Sequence, residues 1–360
     1  MLYSNEIVFR GHPDKVCDQI SDAIVDECLK QDKTSRCAVE VVGGKGKIFI
    51  TGEVTTKAVF DVPKIVKRVL LDNGYDDDYE IINNLGTQSP DIARGVTEEF
   101  LGAGDNGMMF GYATRDTCEY LPVAMVILQK FSKCYDELRK RDKRFLSDGK
   151  AEITGFYENN KLKYIKTFTI CYQNTEKERD ETDKILIGIC DNICLEYGVK
   201  VLNYLINPTG KFLIGGFLGD AGLTGRKIVV DSYQSFAKCG GGAFSGKDPS
   251  KVDRSGAYKA RSIAKEILRD NPKYNWCLVQ ISYAIGVERP VSIYIETDKG
   301  VIDTLDKFYE ECKLKNIIKD LNLRNICYED LAKFGHFMDW NRVLVFINIL
   351  IIYFVCKVIT

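Results

Sequence analysis

The chain has 360 residues, which is more than one hydrophobic core usually contains, so its length predicts two or three domains. Its 50 Lys and Arg residues nearly balance 51 Asp and Glu residues, and the formal net charge of −1 excludes a general electrostatic attraction to nucleic acid or to an anionic membrane. We therefore expect no nucleic-acid partner, and we interpret each local basic cluster as a candidate site.

Cysteine and histidine usage restricts the chemistry further. The 13 cysteines are scattered, odd in number and form no C-x-x-C pair, and no signal peptide is recognisable. These features predict free thiols in a reducing, cytoplasmic compartment. The two histidines, His12 and His336, are too few for a histidine-rich zinc site.

The first predicted element is a loop that leads into a helix. The loop reads RGHPDK, and apolar residues then recur at helical spacing over 16–28. The N-terminus of such a helix attracts anions. His12 is a candidate acid or hydrogen-bond donor and Asp14 a candidate metal ligand, although helix capping explains both residues equally well.

Two strand-like runs at 37–42 and 47–54 follow, and then a helical run at 62–71. Glu40 and Glu53 fall within the strand runs. Because side chains alternate between the two faces of a strand, both glutamates are explained as ordinary solvent-facing residues.

Residues 83–114 read NNLGTQSPDIARGVTEEFLGAGDNGMMFGYAT. Turn-forming residues punctuate the first half, and glycines surround Asp105 before an apolar run. A loop of this composition beside a phosphate site suits a lid, and a plain surface connection explains it equally well.

Helices and strands alternate through the rest of the chain. Helices are expected at 121–138, 185–197 and 256–269, with further helical patterns to about 331. Strands are expected at 151–157, 164–172, 201–206, 276–284 and 290–296. Residues 147–150 read SDGK and predict a turn before the first of these strands.

Two glycine-rich tracts carry paired cations. The first, at 211–233, reads KFLIGGFLGDAGLTGRKIVVDSY and contains Asp220, Arg226 and Lys227. Tight hairpins would also explain its glycines. Because a second tract with cations follows closely, we interpret the two as one composite site for an anion.

The second tract reads GGGAFSGKDPSKVDRS from Gly240. Its consecutive glycines let backbone N–H groups approach a ligand closely. Its charged residues are Lys247, Asp248, Lys251, Asp253 and Arg254. Cations with carboxylates suit a polyphosphate that carries Mg²⁺, and a solvated glycine-rich turn is the alternative. The P-loop pattern fits poorly, because Asp248 occupies the position of the metal-binding hydroxyl.

The end of the chain is apolar over 343–356 except for Asn348, a run of 14 residues. A membrane-spanning helix needs roughly 20 residues, so we do not expect the run to cross a membrane. A buried C-terminal segment, an interfacial anchor and an aberrantly translated end are the alternatives.

Seven motifs occur along the chain in one order: GHPDK, TGEVTT, QSPDI, GAGDNGMMFGYAT, INPTGKF, GGFLGDAGLTGRK and GGGAFSGKDPSKVDRS. In this order they resemble the S-adenosylmethionine synthetase family, also called the methionine adenosyltransferases. The resemblance covers roughly residues 3–337, and its last two motifs are long and highly specific.

The resemblance implies an α+β fold of three similar α/β domains in a pseudo-threefold arrangement. It places an N-terminal domain at 1–91, a central domain at 101–214, a C-terminal domain at 215–340 and an atypical apolar tail at 341–360. It also implies a homodimer or homotetramer with active sites at the subunit interface.

The family reaction converts ATP, L-methionine and water into S-adenosylmethionine, phosphate and diphosphate. Methionine sulfur displaces the whole triphosphate from C5′ of ATP, and the triphosphate is then hydrolysed in place. The implied cofactors are Mg²⁺, with two ions per site, and K⁺. Because triphosphate carries about four negative charges, preorganised cations and metals are the expected means of stabilising the transition state.

The motifs also imply roles for single residues. ATP would be lined by His12, Asp148, Lys150, Lys211, Phe212, Asp220, Arg226, Lys227, Ala243 and Lys247. Methionine would be surrounded by Glu53, Gln88, Asp220 and Lys251. Mg²⁺ would bind Asp14 and Asp253, and K⁺ would bind Glu40. The catalytic residues would be His12, Asp105, Lys150, Arg226 and Lys247, with 88–98 as a gating loop.

Four positions depart from the family pattern. Arg10 replaces a Glu, Thr87 a Lys, Ser147 a Pro and Lys211 an Arg. Lys211 keeps the charge but loses the bidentate fork of an arginine. The alternative function is therefore a catalytically weakened nucleotide-binding homologue, or a partner subunit, on the same fold.

Overall fold

The computed structural model describes residues 1–87, 102–175, 178–303 and 306–338. Gln88, the expected gating loop at 88–98 and the tail at 341–360 lie outside these residues. The described chain combines helices with three β-sheets, so the α+β class is confirmed. Within these ranges, no helix is both long and apolar enough to cross a membrane.

The strands vary in length from 2 to 14 residues and lie throughout the chain. In order they are β1 (Leu2–Val8), β2 (Arg36–Gly44), β3 (Lys47–Thr55), β4 (Glu80–Gly86), β5 (Gly107–Thr114), β6 (Phe145–Glu158), β7 (Lys161–Asn174), β8 (Lys200–Val201), β9 (Tyr204–Ile206), β10 (Gly222–Leu223), β11 (Trp276–Tyr283), β12 (Ser292–Thr297) and β13 (Gly300–Val301).

The helices separate these strands. They are α1 (Pro13–Gln31), α2 (Val62–Asp72), α3 (Val123–Arg141), α4 (Arg179–Glu196), α5 (Gly216–Gly219), α6 (Ile228–Asp231), α7 (Val252–Asp270), α8 (Asp306–Glu311), α9 (Leu314–Asp320) and α10 (Tyr328–Ala332), with a 3₁₀ turn at Leu323–Asn325.

The N-terminal sheet has the strand order β10-β2-β3-β4. Strands β2 and β3 pair antiparallel, and β4 joins β3 in parallel. Alternate residues such as Val39, Val41 and Ile50 are buried beneath α1 and α2, whereas Val42 and Phe49 are exposed on the other face. One face of this sheet is therefore covered and the other is open.

The other two sheets follow the same plan. In the central sheet, β6 pairs with β1 and β7, and β8 and β9 both pair with β7. Helices α3 and α4 pack on it around their own apolar core. In the C-terminal sheet the order is β13-β12-β11-β5, and α7 packs on β5 and β11.

Each sheet receives one strand from a different part of the chain. Strand β1 precedes the N-terminal sheet in sequence but pairs with β6 of the central sheet. Strand β5 precedes the central sheet but pairs with β11 of the C-terminal sheet. Strand β10 precedes the C-terminal elements but pairs with β2 of the N-terminal sheet. The three sheets are thus joined by a cyclic exchange of strands.

Helix α1 links the first loop to the core. It begins at Pro13, whose fixed φ suits the first helical position, and His12 serves as its N-cap. Val16, Ile20 and Ile24 lie on one face, and all three are fully or almost fully buried. The expected helix at 16–28 is therefore confirmed, with one additional turn at its N-terminal end.

Three local expectations differ from the structure. Residues 147–150 lie inside β6 and not in a turn, because a register shift between Phe145 and Gly149 lets the strand continue. The run at 201–206 divides into β8 and β9. Helix α7 begins at Val252, so the last residues of the second tract belong to its first turn.

Candidate active site

The N-terminal end of α1 carries a first group of charged residues. The Nδ1 atom of His12 accepts a hydrogen bond from the Asp14 N–H at 3.2 Å, which confirms its capping role. Asp14 is buried, and its Oδ1 accepts from the Leu223 N–H at 2.9 Å. Its Oδ2 pairs with Lys227, and Arg226 lies 3.8 Å from Oδ1. The first tract thus supplies two cations to Asp14.

The pKa values of His12 and Asp14 are both lowered. Burial lowers the pKa of His12 to about 4, and the Lys227 ammonium adds to this effect. Burial disfavours the ionised Asp14, but hydrogen bonds from Lys227 and Leu223 outweigh it and hold the pKa of Asp14 below its usual value. At neutral pH the imidazole is therefore neutral and the carboxylate ionised.

Strand β6 adds two further residues to the first group. Asp148 is buried and its Oδ2 accepts from the Gly216 N–H at 2.9 Å. Burial raises the pKa of Asp148 to about 6. Lys150 and Asp220 are exposed, and their charges act on both His12 and Asp148.

The second group lies where the second tract meets α7. The Nζ atom of Lys247 lies 2.5 Å from Oδ2 of Asp253. A Cβ at Gly242 would lie 2.1 Å from Asp253 Cγ, so only glycine permits this approach. Glu40 on β2 is half-buried, and burial raises its pKa although Lys247 opposes the shift.

Two charged residues of the second tract are structural and not ligand-facing. Asp248 is buried and accepts from the Cys37 N–H at 2.7 Å, the Ser250 N–H at 2.8 Å and Lys251 at 2.6 Å. Arg254 is fully buried. The expectation that Asp248 is available to a metal, and that Arg254 serves as a ligand-facing cation, is therefore wrong, because both charges are already paired inside the fold.

The two tracts are adjacent. Thr224 of the first tract donates its N–H to the Val41 carbonyl at 3.0 Å, next to Glu40 on β2. A Cβ at Gly225 would lie 2.6 Å from the Cβ of Ala243 in the second tract. Gly225 also has a φ of +79°, a backbone conformation that favours glycine. The close contact and the backbone conformation therefore both require glycine at this position.

Two of the residues expected around methionine lie near the second group. Glu53 lies on β3 opposite Ala38, which forms a β-bridge with Lys247, and Lys251 pairs with Asp248. Asp105 is exposed, and its side chain accepts from its neighbouring N–H at 2.7 Å. The Phe212 carbonyl accepts from the Asn174 N–H at 2.9 Å, which fixes the backbone beside Lys211.

Comparison with known protein families identifies the family to which this chain belongs. The model of the S-adenosylmethionine synthetase N-terminal domain matches residues 1–90, that of the central domain matches 100–212 and that of the C-terminal domain matches 214–343. The chain belongs to the S-adenosylmethionine synthetase family.

Individual relatives agree with this assignment. An S-adenosylmethionine synthase of Clostridium tetani is 41% identical over an alignment that covers 93% of this chain and 94% of the relative. An S-adenosylmethionine synthase of Clostridium botulinum is 38% identical over an alignment that covers 95% of this chain and 96% of the relative. The similarity therefore spans almost the full length of both proteins.

Arg10, which departs from the family pattern, has its charge paired inside the fold. Arg10 is buried and bonds to Asn73 at 3.1 Å and to Gln19 at 3.1 Å. It also pairs with Asp72 and lies 3.3 Å from Asp136. These contacts join α1, α2 and α3, so Arg10 is a scaffold residue and adds no free cation beside His12.

Sequence reasoning missed a row of carboxylates on α1. Asp14, Asp18, Asp22 and Asp26 recur every fourth residue and so share one helix face. Asp18 accepts from the Gly225 N–H at 2.8 Å, Asp22 from the Gly246 N–H at 2.9 Å and Asp26 from two N–H groups near α10. The four-residue spacing was the signal, and it was overlooked because helical charges are usually solvated.

The donor set of this synthetase fits a metal that shares its ligands with phosphate. The described residues contain no group of three or more Asp, Glu, His or Cys side chains arranged for one ion. Asp14 and Asp253 each form an ion pair with a lysine ammonium, so each carboxylate already has a cation as its neighbour. Mg²⁺ commonly binds one or two carboxylates and completes its shell with waters and substrate phosphates. Both residues are suited to that role.

Proposed function

We propose that this chain synthesises S-adenosylmethionine from ATP and L-methionine, releasing triphosphate and hydrolysing it to phosphate and diphosphate. The observation that carries the proposal is the placement of Arg226, Lys227 and Lys247 in two adjacent glycine-rich tracts of a chain of this family. Cations beside close-approaching backbone suit a polyphosphate chain.

The first step needs no general base, because the thioether sulfur of methionine has lone pairs and no proton to lose. The sulfur bonds to C5′ while the bond from C5′ to the triphosphate oxygen breaks, and negative charge develops on that oxygen. Preorganised cations stabilise this charge more than they stabilise bound ATP. In our proposal Arg226, Lys227, Lys150 and Lys247 supply those cations.

The neutral His12 acts as a directed hydrogen-bond donor in this proposal. Its Nδ1 accepts from the Asp14 N–H, so the proton of the neutral ring resides on Nε2. A phosphate or ribose oxygen is the acceptor for which that N–H is suited. In our proposal Asp105 lies near the reacting sulfur, and the catalytic set is His12, Asp105, Lys150, Arg226 and Lys247.

The remaining assignments follow the same motifs. ATP contacts Asp148, Lys211, Phe212, Asp220 and Ala243 in addition to the catalytic cations and Lys227. Methionine contacts Glu53, Gln88, Asp220 and Lys251. Asp14 and Asp253 would hold two Mg²⁺ ions, which would supply further positive charge to the phosphates, and Glu40 would hold K⁺.

We propose the domain boundaries 1–91, 101–214 and 215–340. The matched ranges of the three family models end within a few residues of these boundaries and support them. The cyclic exchange of β1, β5 and β10 supports the pseudo-threefold arrangement, because each sheet gives and receives one strand in the same sense. The free thiols of the described cysteines support a cytoplasmic location.

We further propose a homodimer or homotetramer with active sites between subunits. The open face of the N-terminal sheet exposes Val42, Phe49 and Ile82, and that of the C-terminal sheet exposes Met108 and Tyr294. Apolar residues on open sheet faces are suited to a partner subunit.

The test of the activity is direct. Purified protein is incubated with L-methionine and labelled ATP, with and without Mg²⁺ and K⁺. We expect S-adenosylmethionine and phosphate to form only when Mg²⁺ is present, and faster with K⁺. A folded protein that forms no S-adenosylmethionine under any of these conditions contradicts the proposal.

A mixing experiment tests whether the sites are shared. Lys227→Ala and Lys247→Ala are each expected to be nearly inactive. If each site takes Lys227 from one subunit and Lys247 from the other, a mixed dimer contains one intact site. Random mixing then restores about a quarter of the wild-type activity, since half of the dimers are mixed and half of their sites are intact. No restoration would place both groups within one subunit.

A further inference from the structure

A buried lysine beside the first group has no role in the mechanism above. Lys15 is 1% exposed, and its Nζ lies 3.0 Å from Asp18 Oδ2 and 2.5 Å from Asp231 Oδ1. Both carboxylates are also buried. Burial disfavours the ammonium, but the two carboxylates outweigh it and raise the pKa of Lys15, so it stays charged.

Each of the two carboxylate residues is linked by hydrogen bonds to one end of the short segment 225–231. Asp18 Oδ1 accepts from the Gly225 N–H at 2.8 Å, which fixes the start of the segment. The Asp231 N–H donates to the Lys227 carbonyl at 2.8 Å, and the Asp231 carbonyl accepts from the His336 N–H at 3.0 Å, which fixes its end. Arg226 and Lys227 lie between these two anchors.

We infer that Lys15 is a positioning residue, which holds Arg226 and Lys227 in place by joining Asp18 and Asp231. This inference rests on the proposed function. A charge buried between two carboxylates has few alternative positions, because any separation leaves a buried charge unpaired. The Lys15 side chain therefore joins the two carboxylates that anchor the ends of the segment from Gly225 to Asp231.

The expected consequence is catalytic as well as structural. Arg226 and Lys227 act on a departing phosphate oxygen, and a displacement of about 1 Å in such groups can cost about 10²-fold in rate. Loss of Lys15 removes the charge that joins Asp18 to Asp231, so the two ends of the segment can shift relative to each other and that displacement becomes possible. Lys15 itself does not need to touch a substrate.

The test compares Lys15→Met with a matched control, Lys259→Met. Lys259 is also buried and lies 2.8 Å from Glu311, but it is about 9 Å farther along α7 than Asp253. Each variant removes one buried ammonium, but Lys15→Met leaves two buried carboxylates, whereas Lys259→Met leaves Glu311, whose side chain is 33% exposed. We expect Lys15→Met to lower kcat for S-adenosylmethionine formation about 10²-fold, and Lys259→Met to change it by less than about threefold at equal thermal stability.

A double variant separates positioning from general damage. In a Lys227→Ala background, most of what Lys15 positions is already gone, so the further loss caused by Lys15→Met should shrink to less than about tenfold. If the two losses multiply in full, Lys15 acts independently of Lys227 and the inference is overturned.

Asp231→Asn covers the case in which Lys15→Met does not fold. It keeps the shape of the side chain while removing the charge from one anchor, and we expect it to weaken binding of inorganic triphosphate about tenfold relative to Lys259→Met. Wild-type affinity in Asp231→Asn overturns the inference.

The triphosphate titration also separates the two proposals. If the wild-type protein forms no S-adenosylmethionine, the proposed function fails, and triphosphate binding by the same variants still decides the role of Lys15. If the wild-type protein is active but Lys15→Met matches Lys259→Met, only the positioning role fails.

Discussion

Two ion pairs lie side by side where the second tract enters α7, and they differ in exposure. In the Lys247–Asp253 pair the side chains are 19% and 12% exposed, whereas both side chains of the Asp22–Arg254 pair are 0% exposed. Arg254 bonds to both carboxylate oxygens of Asp22 at 2.7 Å and lies 4.1 Å from the ring centre of Tyr328. The lysine pair has a single contact.

The contrast shows that burial, and not residue type, separates the scaffold from the site. Asp253 and Arg254 are neighbours in sequence, but consecutive helical residues point in directions about 100° apart. Arg254 therefore points toward α1, where its charge is fully paired. Asp253 remains near the tract, where it and its lysine partner keep contact with water.

The largest effect is expected when the buried Asp22–Arg254 ion pair is broken. Arg254→Met leaves the Asp22 carboxylate buried with the Gly246 N–H as its remaining partner, and we expect the free energy of unfolding to fall by about 3–5 kcal/mol. Urea unfolding followed by circular dichroism measures the change. Lys247→Met is the matched control, with an expected loss of about 1 kcal/mol or less. Equal losses in the two variants would contradict the distinction.

The next prediction concerns the partly exposed Lys247–Asp253 ion pair. Lys247→Ala should slow S-adenosylmethionine formation and the hydrolysis of added triphosphate alike, by about 10²–10³-fold each, because one cation acts on the same phosphate chain in both steps. ATP affinity should change less than turnover. Rates of both reactions are compared at a temperature where a thermal melt shows the variant folded. Unchanged triphosphate hydrolysis with collapsed synthesis would restrict Lys247 to the first step.

The smallest expected effect is a pH dependence along α1. Burial raises the pKa of Asp26 to about 7, whereas Asp14, which pairs with Lys227, has a lowered pKa. Folded Asp26 therefore keeps a proton that the unfolded chain releases above about pH 4, and its contribution to stability is lost as the pH rises to about 7.

The variant Asp26→Asn isolates this contribution. Wild type should lose stability relative to Asp26→Asn by roughly 1.4 kcal/mol per pH unit or less between about pH 5 and pH 7. Urea unfolding of both proteins over this range measures the difference. A difference that is constant with pH, or that grows in favour of wild type, would contradict the assignment.

The sequence predicted elements whose signal is local. Helix α1, strands β2 and β3 and helix α2 appear close to their expected positions, because apolar periodicity and the turn residues lie within each segment. Strands β1 and β10 were not predicted. Each is completed by a partner more than 130 residues away, and β10 is only two residues long, so neither carries a periodic pattern of its own.

The site was predicted in its motifs but not in its distribution of charge. The position of Asp14 beside two cations of the first tract agrees with the composite anion site, whereas Asp248 and Arg254 were misassigned. Charged residues in a glycine-rich loop look solvated in sequence. Only the packing of α1 against the tracts determines which of them lose contact with water.

The exchange of strands also constrains how the chain is made. Strands β2 and β3 leave the ribosome about 170 residues before β10, which completes their sheet. At about 5–20 residues per second, the edge of β2 stays unpaired for roughly 10–30 s of synthesis. An open strand edge of this kind invites pairing with other chains. The nascent protein therefore cannot complete its three sheets one after another.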